Sequence, residues 1–347
     1  MIFQNLSMYK NPYKPIIYWL LTGCSLIFLM VVIGGITRLT NSGLSMVDWK
    51  LIMGMVPPLS EQDWIETFNQ YKQFPEYQGV NFMFTLAEFK AIFFWEYLHR
   101  LIGRLIGIVF IVPFFYFLIK KKFTKKLMNQ CLIILTMGGL QGFLGWWMVK
   151  SGLVDNPDVS HYRLAIHLIA AFLTFAYTLW VALGLIYHNE IRPNVPSMRK
   201  WVAVLFVVTV IQIVYGAFVA GLNAGLVYNT WPKMGGEWIA EAVTAIDPIW
   251  VNFVNGLAGV QFIHRYLAYI VVGLVVFLFL KSSKFKLSSI QLTALKALII
   301  VVFIQFLLGI FTLIFSVPIW LGVTHQVGAF LLLGVVVYTA YSFRKTA

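Results

Sequence analysis

The chain is organised by long uninterrupted apolar runs separated by short polar clusters. A membrane-spanning helix needs about 20 predominantly apolar residues. Eight stretches meet that length: 15–38, 91–119, 126–149, 163–187, 201–222, 258–280, 290–315 and 319–342. The pattern predicts an all-α polytopic membrane protein with eight transmembrane helices. Two connections are long, 39–90 and 223–257, and loops of that length in a compact protein are usually functional. Trp49, Trp64, Trp231, Trp238 and Trp250 fall in them, where indole rings are expected at the membrane–water interface.

Composition agrees with a lipid-embedded chain. Of 347 residues, 60% are hydrophobic and only 11% charged, against about 25% charged in ordinary soluble domains. The formal net charge of +13 has a positional explanation. Basic residues concentrate in Lys10, Lys14, the KKKFTKK run from Lys120 to Lys126, Arg192, Arg199, Lys200, Lys281, Lys284, Lys286, Arg344 and Lys345. These are the termini and the even-numbered connections. The odd connections carry most of the acids, among them Asp48, Glu61, Asp63, Glu76, Asp155, Asp158 and Glu237. The positive-inside rule then places both termini in the cytoplasm with the long loops outside, which in a bacterium is the periplasmic side of the inner membrane. The basic residues form no aromatic-interleaved patch, so the charge does not point to nucleic acid. The two cysteines, Cys24 and Cys131, lie within apolar runs and form no CxxC pair, which speaks against a disulfide framework or a zinc site. The polar N-terminus and its full-length first apolar run do not read as a cleavable signal peptide.

The sequence repeats itself. NSGL (Asn41–Leu44) returns as NAGL (Asn223–Leu226), Trp49 as Trp231, His99-Arg100 as His264-Arg265, Gln141 and Gly145 as Gln305 and Gly309, and His167 as His325. Five matches in the same order predict two units, 1–190 and 191–347, each a four-helix bundle. Four is an even number of crossings, so both units start on the same side. A pseudo-two-fold axis along the membrane normal is expected, not an inverted repeat.

Four of the six histidines belong to this repeat. His99, His167, His264 and His325 fall in the second, fourth, sixth and eighth helices, each near the outer end. A single such histidine is commonly just an interfacial residue. Ionisable side chains within a membrane are costly, however, and a duplicated pair at matching depth suits bis-imidazole ligation of haem iron between helices. Gly103, Ala171, Ala268 and Ala329 follow the four histidines at i+4, on the same helix face. They leave room for a flat macrocycle, or simply allow close helix packing. His161 and His188 stand outside the repeat and read as structural or solvated.

The two units differ in their acid. Glu96 precedes His99 by one turn, where the second unit has Gln261, and Arg38 corresponds to Ala220. A carboxylate there can move protons or stabilise developing positive charge, or merely pair with Arg38 or Arg100. The asymmetry assigns chemistry to the first unit, with Glu96, His99 and His167 as catalytic residues. Arg38, Arg100, Arg163 and Arg265 are candidates for pairing with haem propionates, and equally candidates for plain interfacial arginines. A dihaem b-type electron-transfer cytochrome is the competing reading. A repeat-built transporter is a weaker one, because the histidines lie away from the midplane.

TRLTNSGLSMVDW (Thr37–Trp49), WEYLHRLIGR (Trp95–Arg104), SHYRLAIHL (Ser160–Leu168), NTWPKMGG (Asn229–Gly236), FIHR (Phe262–Arg265) and THQVGAF (Thr324–Phe330) together resemble the haem A synthase family, in the branch shared by proteobacteria and mitochondria. The resemblance covers nearly the whole chain. It implies an eight-helix membrane oxidoreductase that takes haem O as substrate. The porphyrin methyl would be oxidised to a formyl group by successive hydroxylations with water-derived oxygen, giving haem A for terminal oxidase assembly. It implies that His99 and His167 hold the haem undergoing reaction, that His264 and His325 hold haem b, and that Glu96 is the essential acid. It also suggests association with the farnesyltransferase that makes haem O and with oxidase assembly factors. Some bacterial members carry a cysteine pair in the first outer loop; this chain has none there.

Overall fold

The computed structural model describes residues 11–46, 56–153 and 158–345. Lys10, Asp48, Trp49 and Asp155 lie outside these. Among the described residues ten α-helices follow one another: α1 (Lys14–Leu39), α2 (Glu61–Tyr71), α3 (Pro75–Gly79), α4 (Leu86–Ile119), α5 (Lys125–Lys150), α6 (His161–Ile186), α7 (Pro196–Gly221), α8 (Leu257–Ser282), α9 (Ser289–Ile314) and α10 (Ile319–Ser342). All but α2 and α3 are long and apolar enough to cross a membrane, so the protein is all-helical and multi-pass. Backbone groups inside lipid must be satisfied within the segment, which a continuous helix does.

The observed helices keep the eight apolar runs but start at polar signals that hydropathy alone overlooks. α4 begins five residues before its apolar run, at a capping box in which Thr85 Oγ1 accepts from the Glu88 amide and the Glu88 carboxylate accepts from the Thr85 amide. α7 begins at Pro196, whose fixed φ suits a first helical turn. The long connection after α1 contains structure of its own. Ser60 and Asp63 form a second capping box that starts α2, and α3 opens on Pro75.

The repeated NSGL and NAGL motifs have a local cause. Asn41 and Asn223 each sit just past a helix C-cap with φ of 49° and 54°. Asparagine tolerates this left-handed conformation better than most residues. After α1 the Ser42 amide donates to the Thr37 carbonyl and the Asn41 amide to the Arg38 carbonyl, which closes the helix end on its own carbonyls.

Helices pack as α1 on α4, α5 on α6 and α1 on α6 among the first four spans; the last four pack as α7 on α8, α9 on α10 and α7 on α10. The two groups meet through α1–α10, α6–α7 and α6–α10. That seam is filled by Cys24 and Val31 of α1, Phe172 and Phe175 of α6, Ile213 of α7, and Phe330 and Leu333 of α10. α4 turns Ile108, Val112, Phe115 and Ile119 outward, as a lipid-facing helix should.

On the long-loop side, Phe68 and Tyr71 of α2 pack on Phe89 and Phe93 of α4. Trp64 meets the Phe93 ring edge-on, with centroids 5.0 Å apart. Trp231, Trp238 and Trp250 remain exposed.

Candidate functional site

The repeat histidines sit on α4, α6, α8 and α10, toward the long-loop end of each. Each imidazole rests against a glycine of a neighbouring helix. A Cβ at Gly34 of α1 would lie 3.0 Å from His99 Cε1, and one at Gly145 of α5 would lie 3.2 Å from His167 Cε1. For Gly216 of α7 and His264 the distance is 3.2 Å, and for Gly309 of α9 and His325 it is 2.9 Å. The odd spans therefore supply a flat backbone shelf and the even spans a ring lying on it. Any larger residue on the shelf would push the ring away.

This seating orients the rings. Nδ1 of His99, His167 and His264 is buried with no hydrogen-bond partner, and Nδ1 of His325 meets Gln305 Nε2 at 3.1 Å. Among the described residues no hydrogen bond is made to Nε2 of the four, which leaves it as the nitrogen able to take a ligand. The His264 and His325 ring centroids are 6.4 Å apart with planes at 87°. Two imidazoles each bonded at about 2 Å to one metal ion have centroids about 6 Å apart, so this pair fits an iron between its nitrogens. His99 and His167 rest on glycines of α1 and α5 in the same way as His264 and His325 rest on those of α7 and α9. Among the described residues no three His, Cys, Asp or Glu side chains converge. An imidazole pair is a donor set that suits haem iron.

Glu96 is buried beside this site with both oxygens occupied. Oε2 accepts from Ser45 Oγ and from the Met46 amide, each at 2.7 Å. Oε1 accepts from Arg100 Nη2 at 2.5 Å. Arg100 also donates to the Met46 carbonyl at 2.9 Å. Gln261 does the equivalent work without charge. Its Nε2 donates to the Ala224 carbonyl at 2.9 Å and to the Val227 carbonyl, and its Oε1 accepts from Arg265 at 3.1 Å. Both residues clamp the turn after the preceding odd span to an arginine one helical turn on.

The other arginines also hold main-chain carbonyls. Arg265 donates to Thr230 at 2.8 Å and to Tyr228. Arg38 reaches from α1 to the Ala220 carbonyl at 2.8 Å and to Asn223 Oδ1 at 3.1 Å on the far side of the seam. Arg163 donates to the Trp147 carbonyl at 2.8 Å and stacks over the Trp147 ring. Arg163 and Lys150 line a cleft of about 360 Å³ with Trp146, Trp147 and Ser151, one turn from His167. His161 and His188, outside the repeat, bond to the Val254 and Leu185 carbonyls.

Several structural partners of the histidines escape a reading that looks only for ligands. Gly34, Gly216 and Gln212 carry no chemistry of their own. The available signal was a glycine four residues after a glutamine on three odd spans, at 141–145, 212–216 and 305–309.

Comparison with known proteins agrees with the geometry. The chain is 56% identical over 336 residues to a heme A synthase of Flavobacterium psychrophilum, covering 96% of this chain and 99% of that protein. It is 53% identical to the heme A synthase of Flavobacterium johnsoniae, covering 97% of this chain and all of that protein. It is 43% identical to the heme A synthase of Wolbachia pipientis, covering 99% and 96%. The family described as cytochrome oxidase assembly protein, COX15-CtaA, matches residues 17–337. With its four repeat imidazoles on glycine shelves and a match along nearly its full length, the chain belongs to the COX15-CtaA family.

Proposed function

We propose that this membrane protein is a haem A synthase, an oxidoreductase that converts the methyl group of haem O to a formyl group. The observation that carries this reading is the pair of imidazole pairs, with an acid beside only one of them. His99 and His167 are assigned to hold haem O, and His264 and His325 to hold haem b. Bound there, haem b would supply a one-electron redox centre. The two units, 1–190 and 191–347, are taken to be four-helix bundles related by a pseudo-two-fold axis along the membrane normal. The matching helix pairings α1–α4 with α7–α8, and α5–α6 with α9–α10, support that arrangement. Both termini are assigned to the cytoplasm of a bacterial inner membrane, with the histidines near the outer face.

The chain's own residues then divide the work. The glycine shelves fix each imidazole plane. Glu96 places a negative charge one turn from His99, and its two occupied oxygens favour an electrostatic role over proton shuttling. A fixed carboxylate of this kind stabilises positive charge that develops as a methyl group is oxidised. Arg163 and Lys150, with Arg38, Arg100 and Arg265, form the basic rim that would receive haem carboxylates. Delivery of haem O by the farnesyltransferase that makes it, and hand-over of haem A to oxidase assembly factors, follow from the same reading.

Glu96→Gln is the test, because Gln261 shows that an amide can clamp the same turn. The purified variant is expected to bind haem in both sites. It should accumulate haem O with haem A formation down at least about 100-fold, read by chromatography of extracted haems. A fully active variant would make Glu96 a structural clamp. Haem b alone in the wild-type extract would favour an electron-transfer cytochrome.

A further inference from the structure

The internal repeat breaks down where the two units meet. In the register that matches Gly34 with Gly216 and His325 with His167, Gly35 of α1 matches Ala217 of α7, and Gln326 of α10 matches Leu168 of α6. The α1–α10 crossing therefore carries a glycine and a glutamine where the α6–α7 crossing carries an alanine and a leucine. Leu168 joins the apolar cluster that includes Ile213 of α7, and Ala217 is buried. Gln326 is used differently. Its Nε2 donates to the Val31 carbonyl of α1 at 3.0 Å. A Cβ at Gly35 would lie 3.1 Å from its Oε1, so the carboxamide rests on the α1 backbone where a side chain would otherwise stand.

In an α-helix the carbonyl of residue 31 faces the amide of residue 35, so Gln326 grips the turn from Val31 to Gly35. Gly34, the shelf under His99, belongs to that turn. The residue that grips it is the chain neighbour of His325 in the second pair. Apolar contacts are available to a helix everywhere in lipid, whereas a polar bond to main chain fixes where it sits. His325 has its own support: Gln305 Nε2 donates to the His325 carbonyl at 3.0 Å, and Gly309 lies against the ring.

We infer that Gln326 is a positioning residue for His99: through it the second unit fixes the α1 turn that sets the plane of the His99 ring, so the first pair is completed across the seam. The inference rests on the reading that the pairs hold haem. It makes the site given the chemistry depend on the unit given the supporting haem. Leu168, at the other crossing, has no polar group with which to do the same.

The test makes one crossing resemble the other. Gln326→Leu and Gly35→Ala each give α1–α10 a residue that α6–α7 already carries, so both variants are expected to accumulate. The purified protein, loaded with haem b and haem O, is read by electron paramagnetic resonance of its ferric low-spin haems, whose signals respond to the angle between the two ligand rings. The signal lost in His264→Ala identifies the second pair, and the signal lost in His99→Ala the first. Gln326→Leu is expected to shift the first-pair signal, or to lose haem from that pair alone, and to leave the second-pair signal in place. Gly35→Ala should shift the first-pair signal as well. An unchanged first-pair signal in Gln326→Leu, with both haems bound, overturns the inference, even if the thermal midpoint falls, because Gln326 is then only a packing residue. If Gln326→Leu does not accumulate, an unchanged first-pair signal in Gly35→Ala overturns it instead. Failure of the haem reading looks different: His99→Ala and His264→Ala would then each keep the full haem complement of the wild type.

Discussion

At the residue scale, the same amino acid is cheap or costly according to what faces it. Gly184 on α6 has open space where a Cβ would go, whereas a Cβ at Gly309 meets His325 at 2.9 Å. Replacing a helical glycine by alanine normally favours the helix by about 1 kcal/mol. Gly184→Ala should therefore keep haem content and raise the thermal midpoint slightly. Gly309→Ala should lose haem from the second pair and change its low-spin electron paramagnetic resonance signal; an unchanged signal would show that the shelf does not set the ring. Glu76 shows the effect of burial on charge. It is buried in the long loop with Tyr71 donating to Oε2 at 2.9 Å. Burial pushes its carboxyl from 4.5 up to about 7, helped by the charges of Glu96 and Asp158 and opposed by the Tyr71 bond. The folded protein thus holds this proton more tightly than the unfolded chain. The resulting stability is complete below about pH 4.5 and is lost as pH rises through about 7. The wild type should lose stability relative to Glu76→Gln between pH 5 and pH 8. Parallel unfolding midpoints across that range would count against it.

At the element scale, the spans are specified by apolar length and their ends by caps. The runs alone located all eight, since a bilayer demands length and internal hydrogen bonding and little else. The early start of α4 was not visible in hydropathy because its first turn is polar and is set by Thr85 and Glu88. α2 and α3 were missed for the same reason: they are short and mixed in polarity, and they depend on packing against α4. The repeat motif at Asn41 and Asn223 was legible as a match, but its cause, a left-handed residue closing a helix, is a conformational fact.

At the scale of the whole molecule, the seam between the two groups of helices is apolar in its middle and tied at the long-loop side by Arg38. Lipid removes most of the hydrophobic gain from helix association, so packing and polar ties carry more of the specificity. Arg38→Ala removes the bonds to Ala220 and Asn223. It should destabilise the detergent-purified protein by about 1–2 kcal/mol, with Arg38→Lys recovering part of that loss. A thermal midpoint identical to the wild type in Arg38→Ala would show that the seam does not need this tie.

The sequence by itself determined the membrane class, the number of spans, the internal repeat and the four histidines, because each rests on local composition or on recurrence along the chain. Tertiary structure decided what surrounds those histidines. The shelf for His99 comes from Gly34, 65 positions away, and the tie across the seam joins Arg38 to Ala220. Such partners are brought together only by helix packing, and glycine in an apolar run announces no role. The asymmetry first read as an acid against an amide is sharper in three dimensions: Glu96 and Gln261 hold equivalent turns, one with a carboxylate and the other with an amide.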